Sequence, residues 1–241
     1  MTDTYSAETP TLNEAPTRTT DTVRAAGGDW PGSLADERLR AAEWQATLAA
    51  GQAPVPDRHV PDPGPLGLAA FALTTFVLSL TNAGVFAAEP AAVALAFFYG
   101  GAAQLLAGLW EFRRANVFGA TAFTSYGAFW LSYGIYALFI AKSLNASGDA
   151  TATFLLGWTI FTAYMTIAAV RVSNAVFVVF VLLTITFVLL TVGAYNPAAT
   201  GSASGWTKAG GWTGVATAAA AWYGSFGGVV NATFRRRIIP T

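Results

Sequence analysis

The sequence predicts an all-α membrane protein of six transmembrane helices in one compact bundle. Three observations lead there. Hydrophobic residues fill 54% of the 241 positions and charged residues only 11%, with a mean hydropathy of +0.47, outside the range of soluble domains. Between Leu66 and Phe234 the acidic and basic residues are Glu89, Glu111, Arg113, Arg114, Lys142, Asp149, Arg171 and Lys208, and they fall at boundaries between apolar runs. The runs are Leu66–Ala88, Ala91–Trp110, Gly119–Ala141, Ala152–Val170, Ala175–Tyr195 and Gly211–Thr233; each matches the roughly 20 residues that cross about 30 Å of hydrocarbon. They are apolar nearly all round, whereas buried helices of a soluble fold would carry a polar face.

Taken in order, residues 1–60 are rich in Thr, Ala, Pro and acidic groups and lack the pattern of a secretory signal; they read as a mostly disordered cytoplasmic tail. Within them, 33-SLADERLRAAEWQATLAAG-51 pairs Ser33 with Asp36 as a capping box and stops at Gly51, predicting a short amphipathic helix near 33–50. Its Ala41, Trp44 and Leu48 share a face that rests on a membrane or on protein, or is simply solvated. The transmembrane domain spans 61–234 and opens with 61-PDPGPLGLAAF-71. Pro65 suits a helix start, where the first N–H groups have no intrahelical partner, although Pro-Gly here could equally end a flexible tail. Gly100, Gly101, Ala103, Ala107 and Gly108 in the second run, and Gly224, Gly227 and Gly228 in the sixth, permit close helix contacts. Residues 235–241 form a basic cytoplasmic tail. Arg58, Arg113, Arg114, Arg171 and Arg235 to Arg237 fall on one side, and Lys142 and Lys208 on the other, which places both termini in the cytoplasm.

Polar residues inside the runs are the candidates for function. Phe71, Thr75, Ser79 and Asn82 share one face of the first helix, Ser125, Phe129, Ser132 and Tyr136 one face of the third, and Thr159, Thr162 and Thr166 one face of the fourth. Serine and threonine can bond the carbonyl one turn back, so a structural role is open to each of them. The amides of Asn82 and Gln104 need partners beyond their own helix, so they line a pathway or tie helices together. Glu111 with Arg113 and Arg114 reads as an interfacial ion-pair anchor or as a group serving proton uptake. Without cysteine, and with His59 as its one histidine outside the runs, the membrane region has no metal cluster, no cofactor signature and no nucleophile with a base, so an enzyme is not expected. A net charge of zero with no basic-aromatic patch gives no nucleic-acid partner.

A family resemblance adds to this. Pro63, Pro65, Leu66, Gly67 and Leu68 resemble the Asn-Pro-x-x-Leu-Gly-Leu start of the acetate uptake transporter family, the acetate/succinate permeases. The blocks 99-YGGAAQLLAGLWEF-112 and 116-NVFGATAFTSYGAFWLS-132 are similar to its second and third helices, and the likeness continues more weakly through 161-FTAYM-165 and around Trp212, Tyr223 and Asn231. Asp62 stands where that family has Asn. The resemblance implies a subunit whose six helices enclose a pore, assembled as a homohexamer in the cell membrane. It implies transport of acetate or related mono- or dicarboxylates such as succinate, linked to protons, by channel or symport. It also implies a hydrophobic constriction of Phe71, Tyr126 and Leu183, and a cytoplasmic mouth at Asp62, Pro63, Pro65, Leu66, Gly67 and Glu111. The substrate pathway then comprises Phe71, Thr75, Ser79, Asn82, Gln104, Ser125, Tyr126 and Leu183. A urea or short-amide channel of similar six-helix form is the alternative.

Overall fold

The computed structural model describes residues 34–49, 60–144, 148–195 and 204–241. The polar tail up to residue 33, Gly51, His59 and residues 196–203 lie outside the described residues. The chain divides into two units, Met1–Val55 and Pro56–Thr241. In the first, helix α1 (Leu34–Ala49) has Asp36 and Glu37 in its first turn, where acidic groups offset the dipole's positive end; Trp44 is exposed.

In the second unit the chain runs back and forth as helical rods. α2 (Gly64–Asn82) comes first. A continuous rod follows, made of α3 (Glu89–Phe97), a π-helical turn (Phe98–Ala103) and α4 (Gln104–Arg113). Next come α5 (Val117–Ile135), a second π-helical stretch (Tyr136–Ile140) and the short α6 (Ala141–Ser143). α7 (Gly148–Ala169), α8 (Asn174–Tyr195) and α9 (Gly205–Phe234) complete the set. Among the described residues four stretches are long and apolar enough to cross a membrane: Gly64–Asn82, Glu89–Arg113, Gly148–Ala169 and Asn174–Tyr195. The α5 and α9 rods are diluted by Ser, Thr, Tyr, Trp and Gly, which lowers their hydropathy while supplying polar and aromatic groups to the interior.

Neighbour relations close these rods into a ring. α2 packs on α9 and on the α3–α4 rod, α4 on α5, α7 on α8, and α8 on α9. The seam between α5 and α7 is the most open, and side chains span it: Tyr126 bonds Thr162 (2.9 Å), Tyr136 bonds Thr151 (2.7 Å), and Phe129 meets Trp158 with ring centroids 5.1 Å apart. Aromatic pairs of this kind contribute about 0.5–1.5 kcal/mol each beyond area burial, so side chains hold the seam more than close backbone packing does. The tight turn between α4 and α5 uses Ala115 at φ 55°, a left-handed position usually given to glycine.

The threonine face expected on α7 is present, and each member has at least two partners, Thr166 reaching the Phe180 carbonyl (3.1 Å) as well. Thr159 bonds the Leu155 carbonyl and Thr191, Thr162 the Trp158 carbonyl and Tyr126, and Thr166 the Thr162 carbonyl and Thr184. One turn back satisfies the donor, and the second contact zips α7 to its neighbours.

Candidate functional site

A cavity of about 330 Å³ opens inside the ring. At one end stand Asp62, Gly64, Glu111, Arg114 and Asn116, and at the other Phe71, Tyr126, Phe180 and Leu183. Sequence and local folding explain how the charged end is built. Asp62 accepts a hydrogen bond from the Gly64 N–H (2.9 Å), satisfying one of the free donors at the start of α2, and it pairs with the Arg114 guanidinium. Arg114 Nη1 also lies 3.5 Å from Glu111. Asn116 caps α5 by accepting from Gly119 N–H (3.1 Å), and its Nδ2 donates to Glu111 Oε2 (2.9 Å). Glu111, only 1% exposed, is therefore a buried carboxylate held by an amide and an arginine. The expected ion pair with Arg114 is present, and it faces the cavity.

Pro65 sits where α2 meets α9. Its carbonyl accepts from Ser225 Oγ (2.7 Å), and its ring lies against Gly228, where a Cβ would come within 2.6 Å of Pro65 Cγ. Of the six residues expected at the mouth, Asp62, Pro65 and Glu111 line the cavity. Gly67 is buried against the Phe123 ring and Leu66 is 46% exposed; these and Pro63 stand outside the cavity lining, because successive residues of one helix point about 100° apart.

The apolar end unites Phe71, Tyr126 and Leu183, all buried and all lining the cavity. The Phe71 and Tyr126 rings are 5.9 Å apart, and Phe180 lies 6.0 Å from Tyr126. Thr162 commits its only proton to the Trp158 carbonyl (2.7 Å), so in the Tyr126–Thr162 bond tyrosine is the donor. What Tyr126 has left for the cavity is an acceptor lone pair. Gln104, 1% exposed and lining the same cavity, has an Oε1 without a hydrogen-bond partner among the described residues. Two acceptors thus line the cavity together with its apolar residues, a setting that suits a ligand bearing an O–H.

The remaining pathway candidates lie elsewhere. Thr75 is buried one turn past Phe71, its Oγ1 without a hydrogen-bond partner among the described residues, Ser79 is buried beside Gly214, and Asn82 is half-buried where α2 meets Gly211. Ser125 is half-buried and outside the cavity lining, and Ser132 is exposed. Sequence reasoning missed Phe180, Phe118, Asn116 and Thr241 among the lining residues. Asn116 carried a signal, an Asn just before an apolar helix; Phe180 carried none, because nearly every residue of α8 is apolar.

With this geometry in view, the sequence matches the GPR1/FUN34/yaaH family over residues 44–240. It is 42% identical over 197 residues to acetate permease A of Emericella nidulans, covering 76% of this chain and 66% of that one. It is 40% identical to the succinate-acetate/proton symporter SatP of Escherichia coli K12, covering 74% of this chain and 94% of that one. The structure resembles that of the bacterial acetate channel SatP, with a TM-score of 0.69, 37% identity and coverage of 74% and 97%. The chain spans about two thirds of the fungal relative and nearly all of the bacterial ones.

Proposed function

The chain belongs to the GPR1/FUN34/yaaH family, a multi-pass membrane protein family, and from that premise we propose how it carries acetate and related short-chain mono- or dicarboxylates through the lumen of its helical ring. The observation that carries this reading is the cavity leading from the Asp62–Arg114–Glu111 cluster to the Phe71–Tyr126–Leu183 neck. In it the acid meets charged and polar groups first, sheds water against apolar walls, and passes a bottleneck that stalls bulky acids. Thr75, Ser79 and Asn82 continue the polar face of α2 past the neck, toward the other mouth.

All six rods cross the membrane in this reading, with both termini in the cytoplasm. Asp62, Arg114, Val172 and Thr241 share one cavity, so the arginine-rich ends gather at one mouth, while Lys208 stands near Gly84 at the other; the positive-inside tendency makes the arginine side cytoplasmic. Subunits assemble as a ring of six through outward apolar residues such as Phe98, Trp110 and Phe226, which are 79%, 51% and 56% exposed. The relatives named above are a permease and a symporter, and we read this chain as carriage without catalysis.

Passage is proton-linked. A bare carboxylate in an apolar neck costs several kcal/mol even after relaxation, whereas protonating an acid of pKa ~4.5 at pH 7 costs about 3.5 kcal/mol. The acceptor character of Gln104 Oε1 and of Tyr126 favours the same form, because a neutral acid can donate to them and a carboxylate cannot. In proteoliposomes, labelled acetate flux should rise as the donor-side pH falls at constant total acetate. Flux indifferent to a pH gradient would remove the proton link.

A further inference from the structure

Residues 235–241 do not trail away from α9. Arg235 adopts a left-handed conformation (φ 53°) after the helix ends at Phe234, and this turn sends the following residues back along the helix they left. Asn231 fastens them. Its Oδ1 accepts from the backbone N–H groups of Ile238 (2.7 Å) and Ile239 (2.9 Å), and its Nδ2 donates to the Ile239 carbonyl (2.8 Å). Two turns earlier, the Tyr223 hydroxyl donates to the Pro240 carbonyl. Between these anchors lies Gly227, where a Cβ would come within 2.2 Å of Thr241 Cγ2, so the absent side chain lets Thr241 pack directly on the helix. Thr241 then stands in the wall of the cavity beside Pro65, Gly224 and Gly228.

A basic segment beyond the last helix would ordinarily fray. Here one side-chain amide uses both its acceptor and its donor on this segment, and the helix surface beneath it is cut to glycine. That convergence is hard to account for as tail packing alone, because it delivers Thr241 to the chamber that the charged cluster and the neck enclose. We propose that residues 235–241 are a docked strap completing the wall of the acid's chamber at the Asp62 mouth, and that Asn231 is the positioning residue that holds it. The proposal rests on the reading of this cavity as the acid's chamber. With the strap seated, an acid arriving from that side is bound within a closed wall; with it released, the chamber opens to water on the α9 side and holds the acid less well, while the neck is unchanged.

The chain has no cysteine, so Thr241→Cys provides a single thiol at the wall. In detergent, a small maleimide should label it slowly, and more slowly still in acetate than in chloride of equal ionic strength. Adding Asn231→Ala should raise the labelling rate at least about tenfold and abolish the acetate effect, as expected for losing three hydrogen bonds that together hold a closed state. Tyr223→Phe, which leaves the Asn231 anchor intact, should raise it less. In vesicles, Asn231→Ala should raise the half-saturating acetate concentration roughly fivefold, the effect of about one lost contact, with maximal flux retained. Labelling rates equal with and without the Asn231 amide would overturn the strap. Vesicles that carry acetate while Cys labelling ignores acetate would overturn its place in the chamber. Vesicles that carry no acetate would instead refute the transport reading, and the Asn231 contrast in labelling would still decide whether the strap is docked.

Discussion

Replacing Asp62 with Asn is the sharpest perturbation of the mouth, because it removes one charge and almost nothing else. The Asn side-chain oxygen can still accept the Gly64 N–H bond that starts α2, so the fold is kept. What is lost is the pair with Arg114, whose side chains are 53% and 30% exposed for Asp62 and Arg114; a pair that open contributes only about 0.2–1 kcal/mol to stability. The electrostatic consequence is larger than the stability change. Asp62 and Glu111 both face Arg114, so the cluster holds two carboxyl groups against one guanidinium and offers an arriving anion no unclaimed cation of its own. Neutralising one carboxylate some 6–8 Å from the acid, at an effective dielectric of roughly 40–80, favours binding by about 0.5–1.4 kcal/mol. That corresponds to a two- to tenfold lower half-saturating acetate concentration for flux from the Asp62 side. Initial-rate flux in vesicles at low ionic strength, repeated near 1 M inert salt, measures it; the gain should shrink at high salt, where the screening length falls to about 3 Å. An unchanged or higher half-saturating concentration, or a gain insensitive to salt, would refute the charge argument.

Two further outcomes test the neck and the fold. Thr162→Val removes the acceptor that holds the Tyr126 proton while keeping side-chain volume, so the phenol becomes free to donate into the cavity; stability should fall by about 1–2 kcal/mol, and the dependence of acetate flux on donor-side pH should flatten. Ala115→Gly relieves the left-handed backbone at φ 55° and should stabilise by about 0.5–1 kcal/mol, read as an apparent melting temperature a few degrees higher in detergent.

How far the sequence foretold the site depends on which signal each residue carried. Helix positions were legible because a long apolar run between charges folds as one helical rod; among the described residues four of these rods are long and apolar enough to cross a membrane. The threonine face of α7 was legible from spacing, since three- and four-residue offsets share a face whatever surrounds them. Its partners were not: Thr191, Thr184 and Tyr126 sit on other rods, and periodicity within one helix contains no information about rotation relative to the next. The same blindness hid Phe180. In α8 nearly every residue is apolar, so nothing in the pattern separates a lumen-facing phenylalanine from a lipid-facing one; Leu183 was picked out by resemblance alone, and its neighbour one turn earlier was passed over.

The charged end shows a second kind of limit. Asp62 and Arg114 lie 52 residues apart, and composition could say only that each stands at a boundary. Folding makes them one unit with Glu111, and that changes the meaning of each. Arg114, read as an anchor at the membrane edge, becomes a cation already claimed by two carboxylates, so it cannot serve as a free anion trap. If attraction of the anion were the principle of the mouth, this would be a poor design. It is consistent with a pathway in which the acid must be proton-loaded at the neck: strong capture of the carboxylate at the mouth would lower its pKa and deepen the well from which the neutral form has to leave. A weakly attractive mouth followed by acceptors at Tyr126 and Gln104 keeps the cost of protonation near its value in water. By this logic Asp62→Asn should bind acetate more tightly at the mouth without a matching rise in maximal flux.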